Sequence, residues 1–180
     1  MTYYNQLLNV NNIPRQIVNK LITFIEDSEG NPANNDNLFK LLKYNTRDAL
    51  SQPITMKDKI DLFKQNTDLS QNGVIFQRFN DDTFQEKISQ LRIFIQGGSP
   101  VENVLSNVAV GFDIVVHNEL MILDNGDNRA LILLSELQKS LNGMDIGLGI
   151  LTFVLRGGFS LLDFNNYFQG YRFIMGTRSI

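Results

Sequence analysis

One stretch constrains this chain more than any other. Over Val108–His117, Val108, Val110, Phe112, Ile114 and Val116 alternate with Ala109, Gly111, Asp113, Val115 and His117. Side chains of a strand point alternately to its two faces, so this pattern predicts a strand with one fully apolar face and one mixed face. A helix would scatter both sets around its circumference. The strand needs a cover on its apolar face, and the rest of the chain has to supply it.

The N-terminal third supplies helices. Residues 13–27 place Ile17, Val18, Leu21, Ile22 and Ile25 on one helical stripe, with Pro14 in the first turn, where its missing N–H costs nothing. The turn-rich segment 28–36 ends that helix. A second helix is expected from Asp36, with Leu38, Leu41 and Leu42 inward. A third is expected over 54–63, with Thr55 as N-cap, Asp58 as a weaker capping-box partner, and Ile60 and Phe63 as core contacts.

From residue 73 the pattern turns to strands. Residues 73–79 and 90–96 are short apolar runs bounded by turn signals. In the second, Leu91, Ile93 and Ile95 share one face, and Arg92, Phe94 and Gln96 the other. Residues 97–103 connect to the alternating strand. DNGDNR, 124–129, reads as a turn, with Asp127 or Asn128 capping a helix whose Ala130, Leu133, Leu134, Leu137 and Leu141 repeat at helical spacing. Gly143 sits where a left-handed C-terminal residue belongs. Strands over 149–155 and 171–176 follow, joined by 157–170. The expected fold is α+β: a helical N-terminal part, 1–70, then an α+β part, 71–180, with a mostly antiparallel sheet and one long amphipathic helix packed on it, the two forming one compact unit.

Composition narrows the function. The 180 residues contain no cysteine, which excludes disulfides, thiolate catalysis, zinc ribbons and iron–sulfur clusters. Net charge is −3 and no basic tract stands out, so a nucleic-acid-binding surface has little support. The first sixteen residues lack the basic start and apolar core of a signal peptide, and no apolar run approaches the roughly 20 residues of a membrane span. A soluble protein kept inside a cell is expected.

His117 is the only histidine, so a zincin H-E-x-x-H pair cannot form, and no G-x-S-x-G elbow accompanies it. The residue reads as a partly exposed histidine at a strand end. A calcium loop beginning at Asp124 would put glycine at its third position instead of its sixth. Gly147 and Gly149 follow a helix and open a strand, the reverse of a phosphate loop. Arg156–Gly158 reads as a hairpin turn. Asp81–Asp82 and Glu26, Asp27 and Glu29 lie in loop-like contexts with no second, differently tuned carboxylate. Neither an enzyme nor a cofactor or metal is expected. The aromatic residues of 157–173 are core, or core plus an oligomer interface.

The order QLRIFIQ, FDIVVHNEL, LDNG, an arginine with a leucine-rich helix closing in LNG, GLGILTF and YRFIM resembles the neck, tail-completion or tail-terminator proteins of the tailed-bacteriophage head-to-tail connector. LLKYNTRDALSQP, 41–53, is similar more weakly. The resemblance covers about half the chain. It implies an α+β structural protein with no catalytic residues. Such proteins form a homo-oligomeric ring that contacts neighbouring portal or neck and tail proteins around the channel that DNA traverses. The virion, and the host cytoplasm during assembly, would be the location. An acidic chain suits a channel lining, since like charge keeps DNA from sticking. The interface candidates are Arg92, Phe94, Asp113, His117, Phe159, Phe164, Tyr167 and Phe168. The alternative is a small-ligand-binding α+β domain or enzyme of the cytoplasm using His117 and Asp113.

Overall fold

The computed structural model describes residues 12–64, 73–78, 85–101, 104–145, 150–153 and 158–178. Asp81–Asp82, Gly147 and Gly149, and Arg156–Gly157 lie outside the described residues.

Helix α1 spans Ile13–Ile22 and buries Ile13, Ile17 and Leu21, four residues apart. It stops well short of residue 27, and Ile25 is 72% exposed instead of continuing the stripe. Asp27 is the reason. Its Oδ1 accepts the backbone N–H of both Glu29 and Asn31 at 2.9 Å, and Ala33 N–H returns to the Ile25 carbonyl. This local turn competes with the helix and wins. Asn35 is fully buried, and its Nδ2 donates to the Leu21 carbonyl at 2.8 Å, tying the end of α1 to the start of the next helix.

Helix α2, Asp36–Lys43, buries Leu38, Phe39, Leu41 and Leu42. Helix α3, Met56–Asp61, begins in a complete capping box. Thr55 Oγ1 accepts Asp58 N–H at 3.2 Å, and Asp58 Oδ2 accepts Thr55 N–H at 3.0 Å. Within α3, Ile60 is half-exposed rather than a core contact, while Phe63 just beyond it packs edge-on against Phe39.

The sheet has six strands. They are β1 (Val74–Ile75), β2 (Ser89–Val101), β3 (Val104–His117), β4 (Ile150–Phe153), β5 (Phe159–Asp163) and β6 (Phe168–Arg178). The order is β1-β2-β3-β6, with β4 and β5 both paired to β6. All pairings are antiparallel except β1 with β2. The run expected over 73–79 shrinks to two paired residues, and the 157–170 connection contains β5. Because β4 lies against 175–178 and β5 against 169–173, the two sit end to end along β6.

Helix α4, Arg129–Leu141, runs over the sheet. Asn128, not Asp127, caps it, its Oδ1 accepting Leu131 N–H at 3.1 Å. Gly143, at φ +80°, takes the left-handed C-terminal position. One core joins α1, α2 and α4 to the apolar faces of β2, β3 and β6, including Leu91, Ile93, Val110, Ile114, Phe173 and Met175. At its centre Phe112 stacks on its cross-strand partner Phe173, with ring centroids 4.7 Å apart. Fold class, the central helix and the mostly antiparallel sheet are as expected from sequence.

Candidate functional site

The alternation that drives one face of β3 into the helices turns Asp113 and His117 to the other face. That face is not a plain solvent surface. Asp113 lies opposite Arg172 on β6. The arginine donates from Nε and Nη2 to the two carboxylate oxygens, both at 2.6 Å, in a fork-like pair. Asp113 is 1% exposed. Arg92, opposite Asp113 on β2, is equally buried. Its Nε donates to Gln90 Oε1 at 2.9 Å, and its guanidinium lies 4.3 Å from the Phe164 ring centroid.

The electrostatics follow from this placement. Burial lowers the Arg92 pKa to about 10; Asp113 opposes the shift and Arg172 adds to it. Arg172 is pushed up, first by its hydrogen bond to Asp113. Two cations and one carboxylate therefore share the strand centres, under aromatic rings. Phe94 lies across Gly111, where a Cβ would fall 2.5 Å from its ring, and Arg172 sits 5.6 Å from the same ring.

His117 closes β3. It is 7% exposed, so it is a buried residue rather than a partly exposed one. Its ring meets Phe168 edge-on at 5.1 Å and lies 6.4 Å from Tyr167. Burial lowers its pKa, with Glu119 opposing and Lys87 assisting. Phe168 is fully buried against Val115, with Leu162, Phe164 and Ile88 around them.

The eight candidate residues thus divide. Arg92, Asp113, Phe94 and Phe164 gather around Arg172; His117, Tyr167 and Phe168 gather at the strand end. Phe159 belongs elsewhere. It pairs with Phe173, on the helix-bearing face, and packs edge-on against Tyr171 at 5.4 Å. Phe159 and Leu161 are 52% and 63% exposed, and Tyr167 is also exposed, whereas Arg92, Asp113 and Phe168 are enclosed within the chain. Sequence reasoning missed Arg172, whose signal was an arginine in one predicted strand and an aspartate in another. It also missed Leu161, hidden in the expected connection.

An open polar cleft of about 350 Å³ lies between the 27–29 turn and the outer face of α4, lined by Asp27, Glu29, Ser135 and Gln138 among others. The Asp27 carboxylate there is held below its usual range by its hydrogen bonds to Asn31. Among the described residues, no group of three or more His, Cys, Asp or Glu could hold a metal ion, and no helix is long and apolar enough to cross a membrane.

No curated protein and no solved structure matches the chain. A family model does: YomW, over residues 35–177, from the start of α2 nearly to the end of β6. That span is well over half of the 180 residues, and the chain belongs to the YomW family.

Proposed function

We propose that this protein is a structural component of a phage neck or tail. It forms a homo-oligomeric ring that joins the portal or capsid side to the tail around the DNA channel. The observation that carries the reading is the outer side of β5. The strand pairs with β6 on one side and has no partner strand on the other among the described residues, while Phe159 and Leu161 stand exposed along it. An apolar strand edge is a template for another chain. A contact of that kind between unlike surfaces of identical chains closes into a ring when its rotation permits. YomW is the name of a protein from a Bacillus phage region, which supports a phage-derived origin. The net charge of −3 suits a surface past which DNA must slide.

The test has two parts. Mass spectrometry of purified virions of the encoding phage should find the chain as a stoichiometric component, and native mass measurement of the isolated chain, alone or with neck extract, should find a closed oligomer. Absence from the particles would sink the reading.

A further inference from the structure

His117 does more than end a strand. Its backbone N–H donates to the Ile88 carbonyl at 3.0 Å, and its Nδ1 accepts the Glu119 N–H at 3.2 Å, so the side chain caps the short turn Asn118–Leu120. A ring nitrogen that accepts an N–H cannot itself carry a proton, so the neutral imidazole holds its hydrogen on Nε2. The adjacent Asn118 grips the loop before β6. Its N–H donates to the Tyr167 carbonyl at 2.8 Å and its Nδ2 to the Asn166 carbonyl at 3.0 Å. Within that loop, Asn165 Oδ1 accepts the N–H groups of Tyr167 and Phe168 at 2.8 and 3.1 Å. The turn after β3 and the loop before β6 are thus one hydrogen-bonded unit, with the imidazole at its base against Phe168.

We propose that His117 is a proton-operated latch: neutral, it holds the Asn118–Leu120 turn and the Asn165–Phe168 loop together, and protonated, it releases that loop. Protonation at Nδ1 would set a donor against the Glu119 N–H and would place a charge on a residue that is 7% exposed. Among the described residues, few charged groups face the ring. Glu119 favours the charged form, but Lys87 binds that carboxylate at 2.9 Å and opposes protonation. Arg47 reaches the Glu119 carbonyl at 3.4 Å, and Tyr167 faces the imidazole from the loop. Burial outweighs Glu119, so the folded chain gives up this proton more readily than the unfolded chain does. The latch is therefore closed at neutral pH and opens as pH falls below 6.5. The inference concerns the chain alone and stands whether or not it forms a ring.

The test uses the intact chain. With one histidine present, its imidazole NMR signal needs no assignment by mutation. Titration from about pH 8 to 5 should give a midpoint below the ordinary histidine value. The neutral tautomer should carry its proton on Nε2, and the amide signals of Asn118, Tyr167 and Phe168 should move with the same midpoint. A midpoint at or above 6.5, a neutral form protonated on Nδ1, or loop amides that ignore the titration would each overturn the latch. His117→Gln offers an oxygen to Glu119 and does not titrate, so the loop's pH response should vanish. Persistence of that response in the variant would overturn it too. If the variant fails to fold, the titration of the unaltered chain decides.

Discussion

Replacing Arg129 by methionine should cost the fold about 3–4 kcal/mol, near the middle of the difference between lost hydrogen bonds and relieved charge burial. Arg129 is fully buried at the start of α4. Its Nη1 donates to the carbonyls of Leu41 and Tyr44 and to Ser89 Oγ at 3.0, 2.9 and 3.2 Å, and its Nη2 donates to the Thr46 carbonyl. The Leu41 carbonyl belongs to the last turn of α2, where Tyr44 N–H serves the Lys40 carbonyl and the guanidinium serves that of Leu41, adding a cation at the C-terminal end of the helix. Hydrogen bonds from a charged donor are worth roughly 1.5–3 kcal/mol each; the two hydrogens of Nη1 are shared among three acceptors, so the four contacts count as about three bonds, roughly 5–9 kcal/mol. Against them stands desolvation, which lowers the arginine by some two and a half units, to about 10. At about 1.4 kcal/mol per pKa unit, that is about 3.5 kcal/mol recovered on removing the charge. Tyr44 and Thr46 stand in a part-buried loop that can turn its carbonyls toward water, which lowers the remainder. Urea denaturation of the unaltered chain, Arg129→Met and Arg129→Lys gives the answer. Lysine keeps the buried charge and cannot span the four acceptors, so it should lose at least as much as methionine. An Arg129→Met variant within about 1 kcal/mol of the original, or more stable, would refute the accounting and make Arg129 a case in which burying the charge offsets its bonds.

Gly170→Ala should prevent β6 from pairing with β3. A Cβ there would lie 1.8 Å from the Ile114 carbonyl oxygen, backbone against backbone, and circular dichroism should show loss of cooperative unfolding rather than a modest shift. Asp58 is held at about 2, first by its ion pair with Lys43 and then by Thr55. Its carboxylate therefore contributes stability above pH 3.8 that is lost as pH falls toward 2, so Asp58→Asn should flatten the acid limb of the stability curve; parallel acid limbs would contradict this. Leu161→Glu, at a side chain 63% exposed, should leave the monomer's unfolding midpoint nearly unchanged while shifting any self-association, read by sedimentation, toward the monomer.

What the sequence made legible was whatever depends on local pattern. The alternation of 108–117 placed β3 and both its faces, the leucine spacing placed α4, and Thr55 with Asp58 placed the start of α3. The failures have particular causes. The apolar stripe of α1 runs on to Ile25 in sequence, but the Asp27 carboxylate offers the backbone a tighter local turn. β2 and β3 pair beyond the expected ends, through Gly97, Gly98 and Pro100, where the sequence carries no apolar alternation and the register shifts between Ile95 and Gly97 and between Ser99 and Pro100. β5 has the sequence pattern of a connection because FSLLD has apolar residues on both faces and lies between glycine and asparagine signals.

The candidate surface was harder to see because face and cover are separate facts. Alternation assigns Arg92, Asp113 and His117 to one face of the sheet, but only the non-local register puts Arg172 opposite Asp113 and Phe164 over Arg92. Those contacts enclose residues that, by type alone, look like surface. The same holds in reverse at β5. Pairing Phe159 with Phe173 and Leu161 with Tyr171 sends both to the helix-bearing face at the sheet's margin, where they remain exposed. Leu162, one position on, turns to the other face and packs beside Val115 and Phe168. A slip of one residue would exchange the sets, withdrawing Phe159 and Leu161 and presenting Ser160 and Leu162. The exposed apolar edge is therefore a property of the β5–β6 register, which local composition does not encode.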